Sequence, residues 1–334
     1  MNRKFQNFIL NEKKIIINIL KIAFTVMFIV LLYNMIDIKV IYDMFRNVRL
    51  RVVVLGLSIY LLIYILRALR FKLLLHKRIQ LFNLLKVVLV HGLYNRVLPF
   101  RIGEGAFPIY MKKLENVDYS ESSVAVIIVR IFDLISSIML YCSISIINRE
   151  GYLNVIILMF INSALFFCIC KLKSILEMLI KLLNKVKRMK KVSYTFSNIY
   201  NIYYESLTFK KVLILLTISV SNWMLMFIIF RMFIIEFNMN IQIKDIILAG
   251  SFSNLSSILP ISSIGNFGTM EIGWAGILMM LGYDKNIAFS TGFSVNMVTF
   301  LATTILGLIG IMLLSIKKGG NYDVRWTNRK EKKH

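Results

Sequence analysis

The sequence predicts an all-helical protein that crosses a membrane several times. Hydrophobic residues make up 58% of the 334 residues, and the mean hydropathy is +0.71. Soluble globular chains have a smaller apolar share, so this composition excludes a soluble globule. Only three prolines occur, and two of them lie in similar Leu-Pro elements inside apolar stretches. These observations favour a polytopic membrane protein with two interrupted segments.

About six apolar runs are long enough to cross a membrane. A hydrocarbon core of about 30 Å requires about 20 residues of helix. The runs cover residues 15–36, 51–70, 122–147, 152–170, 212–235 and 286–315. We therefore expect about six full transmembrane helices in a single domain that covers residues 1–316.

Two shorter apolar regions, 84–111 and 246–282, are interrupted by Pro99 and Pro260. Proline removes a backbone donor and breaks a helix, and the glycines that follow let the chain reverse. Such backbone is tolerated in a bilayer only where protein or a wet cavity covers it. The two regions are therefore predicted to form re-entrant hairpins. Interrupted segments at corresponding places in two halves of a chain indicate a transporter site near the membrane midplane.

The positive charges are distributed as the positive-inside rule requires. The formal net charge is +24, and most of the 41 lysines and arginines fall in segments that are cytoplasmic if the N-terminus is cytoplasmic. These segments include 67–86, 171–211 and 317–334. In this topology the C-terminus is also cytoplasmic, and the two hairpins enter the membrane from opposite sides. The halves then form an inverted repeat, which suits alternating access to one central site.

Two basic segments are predicted outside the membrane core. Residues 171–211 form an amphipathic connector, in which isoleucine, leucine and tyrosine alternate with lysines, and it is expected to lie on anionic lipid headgroups. A nucleic-acid contact is the weaker alternative, so no nucleic-acid partner is expected. Residues 317–334 form a polar, basic cytoplasmic tail that is predicted to be disordered.

The first hairpin carries a group of polar and charged residues around its proline. A charge inside a bilayer costs about 2.5–3.5 kcal/mol on insertion scales, so these residues need partners or a function. In one interpretation, Arg101 and Glu104, which stand three residues apart, pair with each other. The other has an arginine bind a lipid phosphate, whose geometry the planar guanidinium group matches. The candidates for substrate binding are Asn95, Arg96, Arg101 and Glu104.

The second hairpin is polar and carries a lone carboxylate. Hydroxyl and amide groups there either satisfy broken backbone and join helices, or contact a substrate. The carboxylate of Glu271 is expected to find an arginine (Arg96, Arg101 or Arg231), to bind a cationic headgroup, or to carry a proton. The candidates for substrate binding are Asn254, Ser262, Ser263, Asn266 and Glu271.

Arg130 and Asp133 stand three residues apart in an otherwise apolar span. We predict a structural ion pair between them that fixes this helix against the first hairpin, with a direct substrate contact as the alternative. The three histidines and three cysteines are too few and too scattered for a zinc site. No metal and no cofactor are expected.

Several elements along the chain, taken in order, match the pattern of a known family. They are Arg67-Ala-Leu-Arg70-Phe, Asn95 with Leu98-Pro99-x-Arg101-x-Gly103-Glu104, Arg130-x-x-Asp133, and Leu259-Pro260 with Gly265-x-x-Gly268-x-x-Glu271. With this set the chain resembles the lysylphosphatidylglycerol synthase transmembrane family, a flippase-like module also found in bacterial multiple peptide resistance factors. One departure is Ile261-Ser262-Ser263-Ile264, where the family has a glycine-richer turn.

The resemblance implies a lipid translocase in the bacterial cell membrane. Its cargo would be a phospholipid, with lysyl-phosphatidylglycerol among the candidates, or a polyprenyl-linked lipid. The family name also suggests phosphatidylglycerol lysyltransferase activity. Longer relatives perform that reaction in an acyltransferase domain that has no counterpart in this sequence, so the activity is not expected here. The implied partners are membrane phospholipids and a separate lipid-modifying or glycosyl-transferring enzyme.

Two other functions remain open at the level of sequence. A membrane enzyme of the polyprenyl-diphosphate phosphatase type also uses inverted hairpins with glutamate and arginine, although the Ser262-Ser263 pair lacks an adjacent arginine. A scaffold for a lipid synthase or a glycosyltransferase would not require the polar residues of the hairpins.

Overall fold

The computed structural model describes residues 42, 46, 48–75, 79–147, 156–157, 160–163, 197, 200, 208–256 and 264–316. Every regular element within these residues is a helix or a helical turn, which confirms the all-helical class. The α-helices are α1 (Leu50–Leu74), α2 (Leu81–Val97), α3 (Ala106–Glu115), α4 (Tyr119–Ile147), α5 (Phe209–Glu236), α6 (Ile243–Ser256), α7 (Thr269–Met280) and α8 (Lys285–Ile316). Two short 3-10 turns, Pro99–Gly105 and Ile264–Asn266, complete the described elements.

Four of these helices, α1, α4, α5 and α8, are long and apolar enough to span a membrane. They coincide with the predicted runs 51–70, 122–147, 212–235 and 286–315. The runs 15–36 and 152–170 lie wholly or largely outside the described residues, as do the connector 171–211 and the tail 317–334. The described part of the chain therefore confirms a polytopic membrane protein.

The first predicted hairpin consists of α2, the turn Pro99–Gly105 and α3. Leu98 before the proline is extended (ψ 128°), as the residue preceding proline prefers, and α2 ends there. The turn folds back so closely that a Cβ atom on Gly103 would lie 2.3 Å from the carbonyl carbon and oxygen of Tyr94. Helices α2 and α3 pack against each other.

The second predicted hairpin consists of α6 and α7, which also pack against each other. Pro260 lies outside the described residues. The turn that leads into α7 depends on two glycines with left-handed backbone, Gly265 (φ 72°) and Gly268 (φ 91°). Side chains other than glycine rarely adopt such angles, so these positions set the reversal.

The two hairpins enter the helix bundle from opposite ends, and their turns meet. Helices α1 and α5 run antiparallel, because Arg49 at the start of α1 pairs with Glu236 at the end of α5 at 2.8 Å. The second hairpin begins near this end, shortly after Glu236, whereas the first hairpin begins at the other end, shortly after Leu74. The turn Pro99–Gly105 contacts the turn Ile264–Asn266. This is the inverted arrangement predicted from the sequence.

The bases of the hairpins are held by polar contacts. Asn83 donates to Glu115 at 3.0 Å in the first hairpin, and the hydroxyl of Tyr283 donates to Asp245 at 2.7 Å in the second. Lys112 of α3 donates to Asp118, which lies just beyond this helix, at 2.8 Å. This hydrogen bond and the lysine charge lower the pKa of Asp118. These contacts fix where each hairpin joins the bundle.

The prediction that residues 67–86 are cytoplasmic was wrong for the first residues of this segment. Helix α1 continues to Leu74, and Arg70 is buried with a relative exposure of 2%. Residues beyond it, such as Phe71 and Leu74, are buried as well. The arginines Arg67 and Arg70 therefore belong to the interior of the bundle.

The close packing at Gly103 gives a test of the first turn. We expect Gly103→Ala to lower the stability by about 1–3 kcal/mol, because a new Cβ atom must displace the backbone of Tyr94. Thermal unfolding of the detergent-solubilised protein, followed by tryptophan fluorescence, measures the change. Gly105→Ala is the matched control, since a Cβ atom there has no neighbour within 4 Å. Equal unfolding temperatures for the two variants would contradict the described turn.

The opposed hairpins give a test of topology. We expect single cysteines at Lys113 and Lys285, both exposed near hairpin bases, to lie on opposite sides of the membrane. The background is a variant in which Cys142, Cys168 and Cys170 are replaced by alanine. An impermeant maleimide should label the Lys285→Cys variant in intact cells, and the Lys113→Cys variant only after permeabilisation. Labelling of both variants in intact cells is the contrary outcome.

Candidate functional site

A polar cavity of about 220 Å³ lies inside the bundle, between the two hairpins. Residues from α1, α2, α4, α5, α6, α7 and α8 line it, together with Asn266 of the second turn. Four of the lining residues are arginines: Arg67, Arg70, Arg96 and Arg130. The one carboxylate among the described lining residues is that of Asp133. The cavity is therefore a cationic chamber within an apolar bundle.

Most of the predicted site residues that the structure describes meet at this cavity. Its lining includes Asn95, Arg96, Asn254, Asn266, Arg130 and Asp133. Glu104 contacts the lining residue Arg130, and Glu271 is connected to the lining residue Arg96 through Asn296. Arg101 lies in the turn Pro99–Gly105. Ser262 and Ser263 lie outside the described residues.

The charged pair predicted in α4 forms two ion pairs with other partners. The guanidinium group of Arg70 pairs with Asp133 and also donates to the hydroxyl of Ser219 at 2.9 Å. Arg130 pairs with Glu104 at 3.2 Å. The first pair joins α1 to α4, and the second joins the first turn to α4. The predicted ion pair between Arg130 and Asp133 is therefore replaced by two pairs with other elements, of which only the Arg130–Glu104 pair holds α4 against the first hairpin.

The second hairpin is connected to the first through the side chain of Asn296 on α8. Arg96 donates to the side-chain oxygen of Asn296, to its backbone carbonyl at 3.1 Å, and to the hydroxyl of Thr299 at 2.6 Å. The amide nitrogen of Asn296 donates to Glu271 at 2.8 Å. One amide therefore accepts from a cation of the first hairpin and donates to a carboxylate of the second.

Glu271 also caps the N-terminus of its own helix, α7. Its side chain, with an exposure of 0%, accepts from the backbone N–H of Gly268 at 2.6 Å at the start of α7. Of its three expected arginine partners, the structure connects it to Arg96 through Asn296, whereas Arg231 donates to the carbonyl of Ile241. A carboxylate at a helix N-terminus is also favoured by the helix dipole. Glu271 therefore has a structural role that sequence spacing did not reveal.

His91 orients the amide of Asn95 at the cavity wall. Its Nε2 atom lies 2.9 Å from the amide nitrogen of Asn95, which leaves the side-chain oxygen of Asn95 for another partner. The ring of His91 also packs edge-on against Phe71 and Phe107, with centroids 6.4 and 5.5 Å away. No group of three metal-ligating side chains occurs within the described ranges.

Sequence reasoning missed several residues of the cavity wall. Arg67 and Arg70 fall in the predicted cytoplasmic segment 67–86, and no role was predicted for Asn222 on α5. One signal could have found the arginines, because the residues that follow them remain apolar enough to continue the span. No comparable signal exists for Asn222, since a single amide in a long apolar helix usually joins two helices.

The bundle and its arginine-lined cavity define a polytopic membrane protein with a central site suited to an anionic group. The family model of the lysylphosphatidylglycerol synthase TM region matches residues 18–307. This range covers most of the 334 residues, and the chain belongs to that family. No match to a curated protein or to a solved structure was found.

The position of Asn296 gives a stability test of the connected hairpins. We expect Asn296→Leu to destabilise the protein by about 1–3 kcal/mol, because Glu271 and Arg96 each lose a buried partner. The measurement is the unfolding temperature in detergent. Thr304→Val on the same helix is the control, because the Thr304 hydroxyl donates only within α8, to Phe300. If both variants unfold at the same temperature, the connection does not stabilise the fold.

Proposed function

We propose that this protein moves a lipid with a phosphate-containing headgroup between the leaflets of its membrane. The observation that carries the proposal is an arginine-lined cavity between two hairpins that enter from opposite ends. Charged residues inside a membrane are costly, and they commonly mark substrate or ion pathways. The family match is consistent with this reading, since it identifies a membrane region named for a lipid-modifying protein.

The cavity chemistry supports binding of a phosphate. Guanidinium groups bind phosphate oxygens through paired hydrogen bonds and are less strongly hydrated than ammonium groups. Arg67 contacts Tyr64 through a cation–π arrangement at 5.1 Å, while Asp133, the one carboxylate among the described lining residues, forms its ion pair with Arg70. Its charge is therefore available for a substrate.

The size of the cavity favours a headgroup over a whole lipid. Pockets for drug-sized ligands occupy about 300–1,000 Å³, and the cavity has a volume of about 220 Å³. A phosphate with its attached alcohol fits this space, while the acyl chains remain among the apolar side chains outside. Candidate cargo includes phospholipids, lysyl-phosphatidylglycerol and polyprenyl-linked lipids.

The hairpin arrangement supports alternating access. The two hairpins enter the bundle from opposite ends, and their turns contact each other. Opening one hairpin at a time would expose the headgroup to one side only. In related architectures, interrupted helices from two inverted halves surround a site at the midplane in this way.

Removal of the available charge should slow transport. The purified protein is reconstituted into liposomes with a fluorescent nitrobenzoxadiazole lipid, and dithionite reports the fraction in the outer leaflet over time. We expect Arg67→Gln to reduce the transport rate by about tenfold or more, because it removes charge-assisted hydrogen bonds to the phosphate.

The matched control is Arg51→Gln, which removes an exposed arginine from the same helix outside the cavity. Its rate should equal that of the unmodified protein. Equal rates for Arg67→Gln and the unmodified protein would remove the cavity from the transport path. A wild-type rate no faster than that of empty liposomes for every lipid tried would refute translocation.

A further inference from the structure

We propose that the central cavity selects a phosphate ester whose remaining polar groups are uncharged hydroxyls, as in a glycerol or sugar headgroup. It would disfavour headgroups that carry an ammonium group, including lysyl-phosphatidylglycerol. The inference rests on the proposed function in one respect, namely that the ligand is the lipid that is moved. Its evidence is the set of hydrogen-bonding atoms at the cavity that have no protein partner.

Two of these atoms are donors of fixed arginines. The Nε atoms of Arg70 and Arg96 are buried and have no hydrogen-bond partner among the described residues. Their guanidinium groups are held by other contacts, Arg70 by Asp133 and Ser219, and Arg96 by Asn296 and Thr299. Because the groups are held in place, their remaining N–H bonds form a preorganised site for anionic oxygen. A phosphate supplies such oxygens.

Besides the hydroxyl of Tyr64, the other unsatisfied atoms at the cavity belong to neutral amides. Asn222, with an exposure of 6%, has neither a donor nor an acceptor partner for its side chain in the described structure, and the oxygen of Asn95 is likewise unpaired. Both residues line the cavity. A hydroxyl group can donate to one amide oxygen and accept from an amide nitrogen, whereas an ammonium group can only donate. The pair of amides therefore fits hydroxyl groups better.

Among the described residues, the carboxylates near the cavity already have partners, which leaves none of them for an ammonium group. Asp133 pairs with Arg70, Glu104 pairs with Arg130, and Glu271 accepts from Gly268 and Asn296. The remaining charge of the wall is positive. A headgroup with ammonium groups would face this positive charge without a counter-ion, and unmatched charges of this kind produce selectivity.

A binding comparison tests the selectivity independently of transport. Short-chain dihexanoyl lipids bind to the detergent-solubilised protein, and isothermal titration calorimetry gives the dissociation constants. We expect phosphatidylglycerol to bind at least about tenfold more tightly than its lysyl ester, a difference of about 1.4 kcal/mol. Equal or tighter binding of the lysyl ester would overturn the inference.

The contribution of the hydroxyl groups is tested with phosphatidylmethanol, which carries the same phosphodiester charge without hydroxyls. Phosphatidylglycerol should bind more tightly to the unmodified protein, and Asn222→Leu should abolish that preference while leaving the unfolding temperature unchanged. The leucine is close in size, and the amide it replaces has no protein partner to lose. Asn286→Leu, at an exposed position of α8, should keep the preference. A preference that survives Asn222→Leu would overturn the role of this amide.

Two further measurements separate this inference from the proposed function. Glycerophosphoglycerol, the headgroup without acyl chains, should bind at least about tenfold more weakly than the lipid, because acyl chains add apolar burial. Equal binding would identify a soluble phosphate ester as the ligand and overturn the lipid assignment. Selective binding without transport in liposomes would refute translocation alone, whereas transport without the headgroup preference would refute the selectivity alone.

Discussion

The structure depends on polar partners for the charges that are buried inside its apolar bundle. The side chain of Asn296 is such a partner for both Arg96 and Glu271. Glu271 is fully buried, and it would destabilise α7 if it lacked donors. The backbone of Gly268 and the amide of Asn296 supply them, and the same amide accepts from Arg96. Through one side chain on α8, the first hairpin and the second hairpin share a charge-compensated contact. The position of each hairpin turn is therefore fixed relative to the other.

Two further ion pairs place the remaining walls of the cavity around this contact. Arg70 and Asp133 hold α1 against α4, and Arg130 and Glu104 hold the first turn against α4. The glycines permit the close approach that these contacts need. At Gly92, for example, an added Cβ atom would lie 2.1 Å from the hydroxyl of Tyr64, so the ring of Tyr64 on α1 occupies the space that a larger residue on α2 would need. The cavity is what remains between elements that are held so closely together.

The elements could be predicted from the sequence, whereas the pairing of side chains could not. Apolar length and proline position depend on local sequence, so the four described spans and both hairpins were found where the structure has them. The substrate-binding candidates Asn95, Arg96, Asn254 and Asn266 line one cavity in the structure, because polar residues in an interrupted span must face a covered cavity. The partners of Arg130 and Asp133 were missed because sequence spacing identifies only neighbours on the same helix. In an apolar bundle the partner of a charged residue depends on how adjacent helices are rotated about their axes. The sequence does not show this rotation, so it does not reveal a pair such as Arg70 and Asp133, which are far apart in the chain.

In the proposed transport cycle, the energies of these contacts indicate which one opens. Leaving a buried group without its hydrogen-bond partners costs about 1–3 kcal/mol, and more if the group is charged, so a cycle that repeatedly separates Glu271 from its donors is unfavourable. The Arg130–Glu104 pair is different, since its side chains are 41% and 29% exposed and water can replace the lost contact. Opening there would release the first turn from α4 while the Asn296 contact keeps both hairpin turns together. The arginine-lined wall would then become accessible from one side without exposing the buried carboxylate of the second hairpin.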